Sequence, residues 1–291
     1  MHTSIVFGAL APLLSLFQLV DGQRLDKPIV DPVTPSMDVS LLNTLRPVRH
    51  LYRLWVDGNL PLRCYDIAIQ EGFSPADVDA YDVTYDDCET PWVFCRHRSA
   101  EMDLFGMRDT FGRIPVRTRQ YVRTIMGLPG ARSAYAFSDR GDIIFFGDCD
   151  NSPTVFIHEF AHILDRHGVA GHNDSDFSRN PIWEAAYDAD PRISDEYAQT
   201  NQQENWAQEV VLATFDRVSP GGLPAIQPSH ADIGHQYGTA RIYLENKIIP
   251  GGTCQFRWPD ETRVNETIPL LKVQDVPESP PIKCDFSGHK H

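Results

Sequence analysis

Residues 152–168 read SPTVFIHEFAHILDRHG and carry the clearest local pattern in the chain. Ser152 is a favourable N-cap residue, Pro153 suits the first helical position, and Gly168 is a common helix terminator. The apolar residues between them recur with helical spacing. We therefore predict a helix over 154–167.

The predicted helix contains an HExxH motif formed by His158, Glu159 and His162. Residues four apart on a helix differ by only about 40° around its axis, so both imidazoles project to the same side. Two such imidazoles can bind one zinc ion, and Glu159 then lies beside the metal, where it can take a proton from a zinc-bound water. The motif predicts one Zn²⁺ per chain, with Glu159 as the catalytic base.

A third ligand is needed, and its identity stays open at the level of residues. The metzincin spacing fails because Asp165 and Gly168 occupy the positions where that pattern has glycine and histidine. Glutamate remains, with Glu204, Glu184 and Glu209 as candidates. Glu204 falls on the apolar stripe of a predicted helix, but it could equally be the far half of a capping box.

Asp165 follows His162 by three residues and lies on the same helix face. Such a carboxylate can accept a hydrogen bond from a ligand imidazole and fix its orientation. An ordinary surface carboxylate is the alternative interpretation. Asp165 is therefore a secondary candidate, outside the set of metal ligands.

The remaining pattern predicts an α+β fold with a small mixed sheet beside the HExxH helix, stabilised by disulfides. Residues 142–146 could form a sheet edge to which an extended substrate adds as a further strand, or a plain core strand. We predict helices over about 47–58, 115–127, 181–188 and 201–215, and strands at 78–85, 133–137 and 142–146.

The excess of acidic residues argues against two classes of binding partner. Acidic residues outnumber basic ones by 40 to 26, giving a formal charge of −14. A surface this acidic repels phosphate backbones and anionic lipid, so we expect neither nucleic acid nor a membrane as partner.

The N-terminus and the cysteines indicate export. Residues 4–20 are apolar and end before Gln23 with small residues typical of a signal-peptidase site, with a signal anchor as the alternative. Six cysteines fit a secreted, extracellular chain, and proximity suggests Cys88–Cys95 and Cys254–Cys284 pairs. Sequons at Asn173 and Asn265 predict glycosylation.

We divide the chain into four segments on these patterns. A signal peptide spans 1–22, a proline-containing extended leader 23–37, a catalytic domain with an N-terminal helical region 38–260, and an irregular proline-rich tail 261–291.

Residues 158–165 resemble the active-site helix of the lethal-factor-like zinc endopeptidases, a gluzincin group that includes proline-proline endopeptidases. In that family a tyrosine precedes the zinc-ligand glutamate by seven residues, as Tyr197 precedes Glu204. The resemblance implies a zincin-type fold, with His158, His162 and Glu204 as ligands and Glu159 as base.

The same resemblance implies that Tyr197 donates its hydroxyl to the oxyanion. It covers roughly residues 130–215, and it departs from the family at Gln208, where a second glutamate is usual. The chain as a whole, with its cysteine pattern, resembles secreted fungal proteins of the conidiation-specific protein 13 type, a resemblance that implies no chemistry.

The sequence thus predicts a secreted zinc metalloendopeptidase acting on an extended peptide or protein substrate. Two alternatives remain. One is a secreted zinc-containing binding or effector protein without hydrolytic activity. The other is an enzyme with a thermolysin-like layout in which Glu184 is the third ligand.

Overall fold

A computed structural model describes residues 24–31, 36–56, 58–172, 175–259 and 261–265, together with the backbone of 282–285. The predicted signal peptide and Asn173 lie outside these residues. Asn265 lies in a short strand and is half-buried.

Within the described residues, seven strands form one mixed sheet in the order β1-β3-β4-β5-β7-β6-β9. The central pairs β4–β5 and β5–β7 are parallel, and the pairs on either side are antiparallel. A separate antiparallel pair joins β2 to β8. The strands are β1 (His50–Leu54), β2 (Asn59–Pro61), β3 (Val78–Tyr85), β4 (Cys88–His97), β5 (Thr124–Leu128), β6 (Ser133–Phe137), β7 (Asp142–Phe146), β8 (Arg263–Asn265) and β9 (Ile282–Asp285).

The strand predicted at 142–146 is β7, and of the two alternatives it is the plain core strand, not the sheet edge. It lies between β5 and β6, and four of its five residues are buried. A nearly continuous apolar run is typical of a strand covered on both faces. No substrate strand can add to β7, because both of its hydrogen-bonding edges are already paired.

The helices are α1 (Met37–Thr44), α2 (Leu62–Gln70), α3 (Leu104–Arg113), α4 (Val116–Arg119), α5 (Pro153–His167), α6 (Pro181–Ala189), α7 (Gln202–Val218) and α8 (Gly234–Leu244). The helix predicted around the HExxH motif is confirmed as α5. Its Phe156 stacks on Phe145 of β7, with 4.4 Å between ring centroids. On its other side α7 packs closely, and Trp206 Nε1 donates to the carbonyl of Ala161 at 3.0 Å. These contacts fix α5 between the sheet and α7.

Two predicted helices are wrong. Residues 50–54 of the first form strand β1, paired to β3, with most of its side chains exposed. In the second, α4 ends at Arg119 and the chain continues as the fully buried strand β5. The spacing of the apolar residues in these segments fits a helix as well as a strand. Hydrogen bonding to neighbouring strands decides between the two structures.

Among the described residues two disulfides link distant segments, and both predicted pairings are wrong because Cys88 and Cys254 bond to each other. Cys64 of α2 bonds to Cys95 of β4, and Cys88 at the start of β4 bonds to Cys254. Cys88 and Cys95 lie seven residues apart on one strand, roughly 20 Å along its axis and on opposite faces, too far to bridge. Cys149 is free and buried.

Residues 24–31 of the predicted leader run along the segment that precedes α7. Val30 N donates a hydrogen bond to Ile193 O at 2.9 Å, and Leu25 N donates to Gln199 O at 2.8 Å. The chain is thus an α+β protein with a mixed sheet and two disulfides. In the part that the structure describes, no helix is both long and apolar enough to cross a membrane.

Candidate metal centre

Helix α5 brings the two motif histidines together. His158 and His162 are both buried, and their ring centroids lie 4.9 Å apart with the ring planes nearly perpendicular. Because the residues are one turn apart, both rings project toward α7, the neighbouring helix. This is the arrangement that the motif spacing predicted.

Glu204 completes the cluster from the first turn of α7. Asn201 caps this helix, since its Oδ1 accepts from the backbone N–H groups of Gln203 and Glu204 at 2.9 and 3.0 Å. The Glu204 carboxylate meets the histidines, with Oε2 lying 3.1 Å from His158 Nε2 and 3.4 Å from His162 Nε2. Asn201 therefore supplies the cap, while Glu204 faces the imidazoles.

The electrostatics of Glu204 follow from these contacts. Burial opposes ionisation of its carboxyl group, but the facing histidines outweigh that effect and lower the pKa to about 2. Glu204 is consequently held as a carboxylate, the form that binds metals.

The donor set fits zinc. Two imidazole nitrogens and one carboxylate oxygen lie within 4.8 Å of one another, and all three residues are buried. Two histidines and a glutamate form a known three-ligand set for catalytic zinc, which leaves a fourth position for water or substrate. The other candidates are placed elsewhere: Glu184 is exposed on α6, and Glu209 is buried outside this cluster.

Two further predicted residues lie close by. Glu159 is completely buried on α5, next in the chain to His158. Tyr197 is half-buried in the turn before α7, and its ring centroid lies 5.5 Å from that of His158. The structure therefore brings all five main site residues, contributed by two helices and one turn, into one neighbourhood.

Asp165 contacts a neighbouring turn. Its two oxygens accept hydrogen bonds from Ser178 N and Ser178 Oγ, both at 2.6 Å. Burial raises the pKa of Asp165 to about 7, although both hydrogen bonds and His162 oppose the shift. Its predicted hydrogen bond to a ligand imidazole stays a prediction.

Two hydrogen-bond contacts on the Nδ1 side of His158 were not predicted from the sequence. Gln208 Oε1 lies 2.8 Å from His158 Nδ1, and Gln208 Nε2 donates to Asp195 Oδ2. Gln208 could have been found from its spacing, since it follows Glu204 by one helical turn. Asp195 gives no such signal, because a loop sets its position.

The fold and site define an α+β protein with a buried His–His–Glu cluster between two packed helices. The sequence matches the family described as conidiation-specific protein Con-13 over residues 36–221, more than half of the chain. The chain belongs to this family, and every residue of the cluster lies within the matched region.

A curated relative gives the same result. The chain is 35% identical to conidiation-specific protein 13 of Neurospora crassa over 177 residues, which is 60% of this chain and 52% of the relative. The match thus spans about half the relative's length. No solved structure matches. The resemblance to lethal-factor-like endopeptidases rests on the quoted motifs alone.

Proposed function

We propose that this protein is a secreted zinc-dependent endopeptidase with a zincin-type arrangement. The observation that carries the proposal is the buried cluster of His158, His162 and Glu204, contributed by two packed helices. Burying a carboxylate and two imidazoles is costly unless they are paired or coordinate a metal, and this donor set suits catalytic zinc.

Zinc, when bound by these residues, lowers the pKa of a water molecule and polarises a carbonyl oxygen. The carboxylate of Glu159 accepts a proton from the attacking water and passes it to the leaving amine nitrogen. The hydroxyl of Tyr197 donates to the carbonyl oxygen as negative charge develops there. Burial of Glu159 strengthens these electrostatic interactions, because the surroundings screen them poorly.

The proposed substrate is an extended peptide or protein, the substrate class implied by the resemblance to zinc endopeptidases. Secretion is proposed from the apolar N-terminus, and two disulfides support it, since such bonds persist mainly in oxidising compartments.

The test combines metal content with hydrolysis. Purified protein should hold about one zinc per chain and cleave members of a library of extended peptides. Glu159→Gln should keep its zinc, because Glu159 is not a ligand, while the hydrolysis rate falls by about 10² or more. Glu184→Gln is the matched control, since it makes the same change at an exposed glutamate.

The possible results separate the proposals. Hydrolysis by Glu159→Gln at the wild-type rate, with zinc bound, would show that Glu159 is not the base. Zinc-loaded wild-type protein that cleaves no library peptide would favour the binding or effector protein instead. Protein that binds no zinc would refute the proposal.

A further inference from the structure

Gln208 and Asp195 form a chain of contacts behind His158. The carboxamide oxygen of Gln208 lies 2.8 Å from His158 Nδ1, while His158 Nε2 faces Glu204. The carboxamide nitrogen of Gln208 donates to Asp195 Oδ2. All three side chains are at least half-buried.

The hydrogen-bonding capacity of Asp195 gives this chain a direction. An ionised carboxylate only accepts hydrogen bonds, so the carboxamide nitrogen of Gln208 must face Asp195 and its oxygen must face His158. That oxygen can only accept, and His158 Nδ1 therefore carries a proton. In a neutral imidazole this leaves Nε2 with its lone pair, which is the form that binds a metal.

The second oxygen of Asp195 accepts a different hydrogen bond. Asp195 Oδ1 accepts from the backbone N–H of Ala198 at 2.8 Å. Ala198 directly follows Tyr197 and begins the 3₁₀ turn Ala198–Thr200. One carboxylate therefore connects His158 to the turn that carries Tyr197.

We propose that Asp195 is a positioning residue for the candidate zinc site. Through Gln208 it holds His158 in the tautomer whose Nε2 is free to bind zinc, and through Ala198 it holds the turn of Tyr197. This inference rests on the proposed zinc site. Asp195 and Gln208 thereby determine which ring nitrogen of His158 carries the proton, which the metal ligands themselves do not do.

Cobalt(II) titration of the metal-free protein tests the inference independently of catalysis. In Asp195→Asn, the new amide can serve Ala198 with its oxygen only by turning its nitrogen toward Gln208. Gln208 must then turn its own nitrogen toward His158, which disfavours the metal-binding tautomer. We expect cobalt affinity to fall about 10–100-fold, the usual effect of losing a partner of a ligand histidine.

A paired exchange distinguishes direction from packing. In the double variant Asp195→Asn/Gln208→Glu, the introduced carboxylate can accept both from His158 Nδ1 and from the introduced amide. The double variant restores the donor and acceptor roles along this chain with nearly the same atoms. Its cobalt affinity should therefore recover to within several-fold of wild type. A purely structural role for Asp195 predicts no such recovery.

Glu196→Gln is the matched control, because it removes one negative charge from the adjacent, exposed position. If Asp195→Asn fails to fold, Gln208→Leu replaces it, because leucine removes the contacts with both His158 and Asp195. Its cobalt affinity should also fall about 10–100-fold, and wild-type affinity in this variant would overturn the inference. Unchanged cobalt affinity in Asp195→Asn, or a double variant no better than the single one, overturns the inference alone. A wild-type protein that binds no cobalt or zinc overturns the proposed function and this inference with it.

Discussion

Tyr197 is the residue of the candidate site that lies outside both α5 and α7. Its ring packs against the hydrophobic core and lies near His158, so Tyr197→Phe should preserve packing and remove one hydroxyl. If that hydroxyl donates to the developing oxyanion, kcat should fall by about 10²–10³ while zinc content and thermal stability stay unchanged. Steady-state peptide hydrolysis checks this. A wild-type kcat in Tyr197→Phe would leave Tyr197 with a packing role only.

Glu204 offers the sharpest test of the ligand set. Glu204→Ala removes the carboxylate that faces both histidines and leaves two ligands, so we expect loss of zinc under mild chelation and loss of activity with it. Elemental analysis after dialysis against a chelator measures the effect.

Glu184→Ala is the control for this change, since Glu184 is exposed on α6. It should retain zinc at the wild-type level. The reverse result, with zinc kept in Glu204→Ala and lost in Glu184→Ala, would support the thermolysin-like layout.

Helix α7 carries a second buried glutamate whose charge is unfavourable. Burial raises the pKa of Glu209 well above 4.5, and the nearby charges of Asp190 and Asp195 add to the shift while Ser194 opposes it. The folded protein therefore holds this proton more tightly than the unfolded chain does. The contribution of Glu209 to the free energy of unfolding is therefore retained at low pH. It is lost as the pH rises above the ordinary pKa of a glutamate.

Glu209→Gln should remove this pH dependence, because glutamine keeps the shape and cannot ionise. We expect the Tm of the variant to exceed that of wild type near pH 8 and to converge with it near pH 4. Thermal melts across this range measure the difference, with Glu184→Gln as an exposed control. A Tm deficit in Glu209→Gln that persists at every pH would contradict the expectation.

The N-terminus of α5 shows how an element obtains its cap. Ser152 was the expected N-cap, but its side chain makes no capping hydrogen bond. Asp38 of α1 instead accepts from the backbone N–H of Thr154 at 2.8 Å. Local sequence marked the start of the helix correctly, whereas a distant residue supplies the partner for a buried N–H group that has no acceptor within the helix.

At the scale of the whole molecule, the disulfides tie α2 and the segment around Cys254 to strand β4 of the sheet. Cys88 and Cys254 are 166 residues apart in sequence, against 31 for Cys64 and Cys95. A longer closed loop removes more entropy from the unfolded chain. Replacing Cys88 and Cys254 by serine should lower the free energy of unfolding by about 2–5 kcal/mol, more than replacing the shorter pair.

Denaturant unfolding of the two double variants measures this order. Peptide mapping without reduction should also recover the links Cys64–Cys95 and Cys88–Cys254. A recovered Cys88–Cys95 peptide would contradict the fold, because it requires two opposite faces of β4 to meet.

The sequence by itself determined the features whose physics is local. The spacing of His158 and His162 and the pattern of residues 154–167 predicted α5 and the direction of both imidazoles, because helix geometry fixes the relation of residues one turn apart. Strand β3 was likewise predicted from its alternating side chains, and β6 and β7 from two short runs separated by a turn. The mixed α+β class follows from these elements.

Tertiary structure decided what depends on distant partners. Residues 124–128 became a strand because β4 and β7 bond to both of their edges. The partners of Cys88 and Cys95, and the contact of Asp195 with Gln208, join segments whose separation in sequence carries no distance information. Glu204 shows the boundary most clearly. Its local pattern allowed a cap or a ligand, and only the packing of α7 on α5 turned its carboxylate to the histidines.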